Sequence, residues 1–313
     1  QWVYRRVSND HGNRWSEATR AFAYPAGRGF AGSGLPLVDR DGNIHLMSLR
    51  FYELDVAAGK YHCALLHNVS RDKGETWSAV KEVDYGARYT GALNSIIQTD
   101  TGRILVPLSY LALDRADGKF VSRVVYTDDG GETWAISNDC AVGGGGQFLE
   151  SGSIEPVVVQ FASGLIWMVI RTTLGYFWES FSNDGAIWTP PQQTRIVSAN
   201  APAGVLRLAD GRIAMFWNNL YGEPMREGHI SYCRHTLYGA ISSNEAQTWS
   251  APKPVARRNP GEPFRTQTTY PFPIQAADGS ILVQYVRVYS REGRDWHDVI
   301  TEVVRVDPDW LAA

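Results

Sequence analysis

Short apolar runs alternate with polar turns along the whole chain. Each run is rich in β-branched and aromatic residues, which favour strands over helices. Examples are "WVYRRV", "YHCALLHNV", "SRVVYT", "GYFWESF" and "LYGAI". No segment shows a sustained apolar period of three to four residues, which would indicate a long amphipathic helix. The pattern predicts an all-β fold built from many short strands.

A turn phrase recurs five times directly after these runs. The copies are "SNDHGNRW" at 8, "SRDKGETW" at 70, "TDDGGETW" at 127, "SNDGAIW" at 182 and "SSNEAQTW" at 242, so they lie 55 to 62 residues apart. The acid, replaced by Asn244 in the fifth copy, can accept backbone N–H bonds within the turn. The glycine supplies a positive φ, and the tryptophan can pack against a neighbouring unit. The phrase therefore predicts a structural turn between two strands.

A second repeat interleaves with the first. It consists of glycine turns flanked by strand-forming residues, namely "DRDGNIHL", "TDTGRILV", "FASGLIWM", "LADGRIAM" and "AADGSILV". Each unit then reads as strand A, glycine turn, strand B, loop, strand C, repeated phrase and strand D. Four antiparallel strands repeated at this interval are typical of a β-propeller blade.

The repeat length predicts the domain organisation. The 313 residues are expected to form a single propeller domain over 1–313. The chain opens on a strand C and closes on strands A, B and C, so we expect six four-stranded blades with the first A–B hairpin of blade one absent. A five-bladed closure is the alternative.

Strand direction indicates where chemistry can occur. Both sets of turns lie at one end of the propeller, so the starts of the inner A strands lie at the other end, which we call the funnel end. Eight residues before the Asp, or its equivalent, that directly precedes each turn glycine, the equivalent A-strand starts are Ser33, Leu93, Glu155, Pro202 and Tyr270. Seven residues after each turn glycine, the equivalent B-strand ends are Leu49, Ser109, Arg171, Asn218 and Val286.

Four residues from three different units are therefore expected to converge at the funnel end. They are Glu155, Arg171, Tyr270 and Arg234, which lies eight residues before the fifth phrase. A carboxylate can take the proton of a phenol and make it a nucleophile. Guanidinium groups bind carboxylates through paired hydrogen bonds. The set suits reaction at a sugar that carries a carboxylate.

The repeated phrase S-x-D-x-G-x-T-W resembles the Asp box of the sialidase (neuraminidase-like) superfamily, and the resemblance covers essentially the whole chain. "EPVVVQFASGLIWMVIRT", "RHTLYGAISSNEAQTW" and "YPFPIQAADGSILVQY" are similar to family segments. The resemblance implies a retaining exo-glycosidase that releases an acidic sugar such as sialic acid. It assigns the nucleophile to Tyr270, the base to Glu155, and carboxylate binding to Arg171 and Arg234. It implies no metal and no cofactor.

The chain also departs from the family pattern. The family has a first arginine in an R-I-P phrase, followed by an acid/base aspartate. In "SGLPLVDRDG", Gly34 stands where that arginine would be. Asp55, in the loop after strand B, is the candidate acid within the chain. Two alternatives stay open: a propeller hydrolase or lyase for a uronate or sulfated polysaccharide, and a non-catalytic glycan-binding propeller.

Charge and composition restrict the partners. The net charge is −3 and the basic residues are scattered, which argues against a nucleic-acid surface. No apolar run reaches the roughly 18 residues of a membrane span. Three cysteines do not form a disulfide framework. An acidic carbohydrate or glycoconjugate is the expected partner, while the oligomeric state and the compartment are left open.

Overall fold

The computed structural model describes residues 2–24, 29–55, 60–144, 150–220, 233–263, 266–290 and 297–313. Within these ranges the secondary structure consists of strands and one five-residue helix, α1 (Pro308–Ala312). The all-β prediction is confirmed. A membrane-crossing helix is not found among the described residues.

The strands form six antiparallel sheets, five of which are blades that start from an inner strand. Blade 1 contains β3 (Phe30–Val38), β4 (Ile44–Asp55), β5 (Lys60–Ser70) and β6 (Lys81–Val83). Blade 2 contains β7 (Ile97–Gln98), β8 (Ile104–Leu111), β9 (Phe120–Thr127) and β10 (Ala135–Ile136). Blade 3 contains β11 (Ile154–Gln160), β12 (Ile166–Arg171), β13 (Tyr176–Ser182) and β14 (Gln192–Val197).

Blade 4 contains β15 (Gly204–Arg207), β16 (Ile213–Trp217), β17 (Thr236–Ser242) and β18 (Lys253–Arg257). Blade 5 contains β19 (Gln267–Gln275), β20 (Ile281–Ser290) and β21 (His297–Val306). The sixth sheet pairs β1 (Trp2–Arg5) with β2 (Thr19–Ala23). In every blade, strands that follow one another in the chain are hydrogen-bonded neighbours.

The structure is a β-propeller of five antiparallel blades, so the five-bladed alternative matches and the preferred count of six gives way to it. The physical reason is that β1 and β2 pair only with each other among the described residues. This two-stranded sheet contacts blades on both sides. Arg5 donates a 2.7 Å hydrogen bond to the Gly74 carbonyl of blade 1, and Asn13 accepts one of 3.2 Å from Arg305 of blade 5. That an A–B hairpin precedes the chain stays a prediction.

The repeated phrase forms the turn between the third and fourth strands of blades 1 to 4, and between β1 and β2. In blade 1, Ser70 donates to Asp72 at 2.8 Å, and Asp72 accepts the backbone N–H of Thr76 at 2.8 Å. Hydrogen bonds from Thr76 and Ser70 lower the pKa of Asp72 to about 2. In blade 4, Asn244 replaces the acid and accepts the Thr248 N–H at 2.9 Å. The predicted role as a structural turn is confirmed.

In blades 1, 2 and 4, the tryptophan of the repeated phrase packs against the sheet that precedes the blade. Trp77 packs on Phe22 with ring centroids 5.2 Å apart, Trp134 on His67 at 5.2 Å, and Trp249 on Trp167 at 6.2 Å. The cores lie between neighbouring blades. One cluster, for example, combines the buried side chains of Met47 and Leu49 with those of Val106 and Leu108. The tryptophan of the phrase thus joins blades 1, 2 and 4 to the sheet that precedes each of them.

A buried histidine at the turn end predicts a pH dependence of stability. His67 is 2% exposed, and its pKa is lowered to about 4 by burial and by the nearby His45 and Lys81. Between pH 6.5 and 4, His67 binds a proton in the unfolded chain but stays neutral in the folded chain. The titration of His67 therefore costs no stability above pH 6.5. As the pH drops from 6.5 toward 4, it lowers the free energy of unfolding by roughly 1.4 kcal/mol per pH unit.

Urea unfolding at pH 4.5, 5.5, 6.5 and 7.5 checks this expectation. The window lies above 3.8, the ordinary pKa from which that of Asp72 is lowered, so this turn carboxylate is mostly ionised in both the folded and the unfolded chain and contributes little to the slope. His67→Gln should flatten the dependence, since glutamine does not titrate. Equal free energies of unfolding at pH 4.5 and 7.5 in the unmodified protein would contradict it.

Candidate active site

Two inner strands carry a β-bulge at the funnel end. In β11 the pairing with β12 shifts between Ile154 and Val157, and in β19 the pairing with β20 shifts between Thr269 and Phe272. The bulged residues are Glu155 and Tyr270, with φ of 44° and 58°. A positive φ at a bulky residue costs about 1–3 kcal/mol and is concentrated at functional sites.

The residue after each bulge is a proline, Pro156 and Pro271. Proline has no N–H, so a strand can be interrupted there without losing a ladder bond. The same register position in β3 is Ser33, where pairing also shifts, between Gly32 and Gly34. Three of the five predicted A-strand starts are thus bulges, and two of these place a chemically competent side chain.

Residues at the ends of B strands hold the next inner strand in place. Ser109 of β8 accepts the Glu155 N–H at 3.1 Å. Asn218, which directly follows β16, donates to the carbonyl of Thr268 at 2.8 Å, two residues before Tyr270. The bulges at Glu155 and Tyr270 are therefore each supported by the blade before them.

The structure brings Tyr270, Glu155 and Arg171 into direct contact. Tyr270 Oη donates to Glu155 Oε1 at 3.1 Å. Arg171 Nη1 donates to Tyr270 Oη at 3.3 Å and to Glu155 Oε2. Arg171 and Glu155 are buried, and Tyr270 is half-buried. One guanidinium therefore holds both the phenol and the carboxylate.

Arg234 completes the predicted set. Its guanidinium carbon lies 5.8 Å from the centroid of the Tyr270 ring, within cation–π range. Nη2 donates to the carbonyl of Asn200. Nε is buried and has no hydrogen-bond partner in the described structure. A buried N–H without a partner is costly, which makes it a donor available to a ligand.

Two further residues belong to this cluster and were missed by the sequence reasoning. Asn200 Oδ1 accepts from Arg171 Nε at 2.6 Å. Glu150 Oε2 accepts from Arg171 Nη2 at 3.0 Å and from Asn200 Nδ2 at 3.1 Å. Asn200 precedes the register position Pro202 by two residues, so a wider register window would have included it. Glu150 lies in a loop, where the repeat provides no register.

The other predicted positions contribute differently. Leu49 and Leu93 are buried in the core between blades 1 and 2. Pro202 and Val286 supply no titratable group. Asp55, the candidate acid, ends β4 opposite Lys60, and its side chain lies outside the described residues.

Burial and neighbouring charges shift the pKa values of three groups. Burial, reinforced by the Glu155 carboxylate, raises the pKa of Tyr270. Burial, reinforced by the charge of Arg171, lowers the pKa of Arg234. Burial lowers the pKa of Arg171, but the combined influence of Glu155, Tyr270 and Glu150 outweighs burial and raises that pKa. In the resting state Tyr270 is a neutral phenol hydrogen-bonded to a carboxylate.

The cluster carries two carboxylates and two guanidiniums around one phenol. It can accept a phenolic proton, stabilise a phenolate through Arg171, and bind an anion through Arg234. The described residues include no group of three or more His, Cys, Asp or Glu side chains arranged to hold a metal ion.

The comparison with protein families agrees with this architecture. The model of the BNR repeat-like domain matches residues 2–296. The chain belongs to the BNR repeat-like domain family. The resemblance to a sialidase-like repeat propeller is thereby confirmed at the level of the family and the fold.

Solved structures share this family's fold at low sequence identity. A protein of unknown function from Dyadobacter fermentans is 17% identical with a TM-score of 0.70, covering 98% of this chain and 84% of that one. The intramolecular trans-sialidase from Ruminococcus gnavus is 16% identical with a TM-score of 0.69, covering 98% and 88%. The NanB sialidase from Streptococcus pneumoniae is 13% identical with a TM-score of 0.68, covering 98% of this chain but 63% of its own.

Proposed function

We propose that the protein is a retaining exo-glycosidase that releases an acidic sugar, sialic acid or a close relative, from a glycoconjugate. The observation that carries the proposal is the 3.1 Å hydrogen bond from Tyr270 Oη to Glu155 Oε1, made by bulged residues of two different blades. Glycosidases of this type use a tyrosine nucleophile in place of a second carboxylate. The similar solved structures named as sialidases support the same class.

The chemistry begins with binding of the sugar carboxylate by Arg171 and Arg234. Glu155 takes the proton of Tyr270, and Tyr270 Oη attacks the anomeric carbon. The bond to the leaving glycan oxygen breaks, and an acid protonates that oxygen. A neutral nucleophile suits this carbon, because it avoids repulsion by the adjacent carboxylate.

The second half of the reaction returns the site to its resting state. Water attacks the anomeric carbon of the tyrosyl intermediate, and the bond to Tyr270 Oη breaks. The phenol regains the proton from Glu155, and the acid regains one from the water. Asp55 is the proposed acid, since it lies at the end of β4 in the funnel-side loop region predicted from the sequence.

A second candidate is a hydrolase or lyase that acts on another acidic glycan, such as a uronate-containing polysaccharide. The number of cations at the cluster favours it. Arg171 and Arg234 are the two arginines that contact the cluster in the described part of the chain. The first arginine that the sialidase resemblance implies has no counterpart in this described cluster, and two guanidiniums are sufficient to bind the single carboxylate of a uronate.

Hydrolysis of matched fluorogenic glycosides tests the proposal. The 4-methylumbelliferyl glycosides of sialic acid, glucuronic acid and galactose provide two acids and a neutral sugar. We expect kcat/KM for the sialoside to exceed that for the galactoside by about 100-fold or more, because a neutral sugar provides no carboxylate for the buried guanidinium of Arg234. Preference for the glucuronide favours the second candidate. Binding of acidic glycans without turnover of any substrate means a non-catalytic glycan-binding propeller.

A further inference from the structure

Glu150 occupies a carboxylate-oxygen site in the cluster. Its Oε2 accepts from Arg171 Nη2 at 3.0 Å and from Asn200 Nδ2 at 3.1 Å. These two donors converge on a single oxygen. Glu150 lies in the loop before β11, five residues ahead of Glu155.

The two donors are fixed independently of Glu150. Arg171 is held by Glu155 and by the side-chain oxygen of Asn200. Asn200 is 1% exposed, and its carbonyl accepts from Arg234. The donor pair is therefore already in place for any carboxylate that reaches it.

Glu150 itself is weakly held by comparison. Its side chain is 62% exposed, whereas that of Glu155 is 7% exposed on the same guanidinium. An exposed carboxylate loses little when it leaves an ion pair, because water solvates it. The buried carboxylate of Glu155 cannot be solvated by water in this way if its ion pair breaks. Of the two glutamates, Glu150 is the one that a ligand can displace.

We propose that Glu150 is a specificity-determining residue that competes with the ligand. It fills, in the free protein, the oxygen site on Arg171 and Asn200 that the carboxylate of the sugar takes on binding. This inference rests on the proposed function, since it concerns an acidic sugar at the same site.

Arg234 explains how a ligand displaces Glu150. In the described structure Glu150 bonds to Arg171 and Asn200, while the buried Nε of Arg234 has no partner. A ligand carboxylate that contacts both guanidiniums gains a charge-assisted bond that Glu150 does not make. Glu150 thus selects for acids positioned to reach Arg234 and disfavours those that reach Arg171 alone.

Calorimetric titration with N-acetylneuraminic acid and with its methyl ester tests the proposal. The proteins are the unmodified chain, Glu150→Ala, Glu150→Gln and the control Glu75→Gln. Glu75 is a matched control, since it is 70% exposed and pairs with an arginine, Arg5, at 2.8 Å. We expect Glu150→Ala to bind the acid about three- to tenfold more tightly, Glu150→Gln to lie between, and Glu75→Gln to match the unmodified chain within about twofold.

The methyl ester distinguishes the loss of a competing carboxylate from the extra space that Glu150→Ala creates. Its affinity should not change in Glu150→Ala, because it carries no charge for Glu150 to compete with. Equal or weaker binding of the acid by Glu150→Ala overturns the inference and leaves the proposed function standing, as does an equal gain for the ester. If no variant binds the acid at all, the proposed function falls, and this inference with it.

Discussion

Tyr270→Phe is expected to reduce sialoside turnover by on the order of a thousandfold or more, equivalent to about 4 kcal/mol of transition-state stabilisation. The variant removes the atom proposed to attack the sugar and keeps the ring that lies near Arg234. KM should change by less than about threefold, since Arg171 and Arg234 keep their charges. Steady-state kinetics with the fluorogenic sialoside measure both quantities.

Tyr89→Phe is the matched control for this variant. Tyr89 lies near the same carboxylates, and burial, reinforced by nearby ionisable groups that include Glu150 and Glu155, raises its pKa. It makes none of the hydrogen bonds that join Tyr270 to Glu155 and Arg171. We expect its turnover to stay within about threefold of the unmodified protein. A Tyr270→Phe variant that keeps more than a tenth of the activity would rule out the tyrosine as nucleophile.

Glu155→Gln is expected to affect turnover and stability together. The amide cannot take the phenolic proton, which should cost about 100- to 10,000-fold in kcat. It also leaves Arg171 buried without its closest counter-charge. Breaking a buried pair from one side typically costs about 3–5 kcal/mol, and Glu150 still contributes an anion, so we expect a loss of about 2–4 kcal/mol. Urea unfolding of both proteins, fitted with one shared dependence of the free energy of unfolding on urea concentration, measures the loss of stability.

Glu150→Gln provides the comparison on the same arginine. Its carboxylate is mostly solvated, so the free energy of unfolding should fall by no more than about 1 kcal/mol. Both variants keep the shape of the side chain, and glutamine meets the same φ at position 155 as glutamate does. If both lower the stability equally, burial is not what distinguishes the two ion pairs, and the argument for Glu150 as the displaceable group fails.

The fold was largely predictable because its repeats are local. The hydrogen bonds that the side chains of Ser70 and Asp72 make within the turn span at most four residues, so a short phrase specifies them. Even the substitution at Asn244 preserves the acceptor that the turn needs. The blade count was not local. It depended on which strands pair, and β1 and β2 pair only with each other in the described structure.

The candidate site was predictable as far as the repeat register extends. Glu155, Arg171 and Tyr270 occupy repeat positions, and the structure brings them within hydrogen-bond distance. Glu150 could not be found in this way, because it lies in a loop where the repeat provides no register. Asn200 was missed for a different reason, since it lies two residues before the register position Pro202 and the count considered only the exact position.

The sequence by itself determined the elements, the structural turns and the register that selected four site residues. Each depends on interactions within one hairpin, where side-chain spacing and backbone geometry are coupled directly. The tertiary structure decided the number of blades, the bulges that turn Glu155 and Tyr270 toward each other, and the sharing of Arg171 between two glutamates. These depend on contacts between residues 16 to 115 positions apart, and such contacts are set by how whole blades pack.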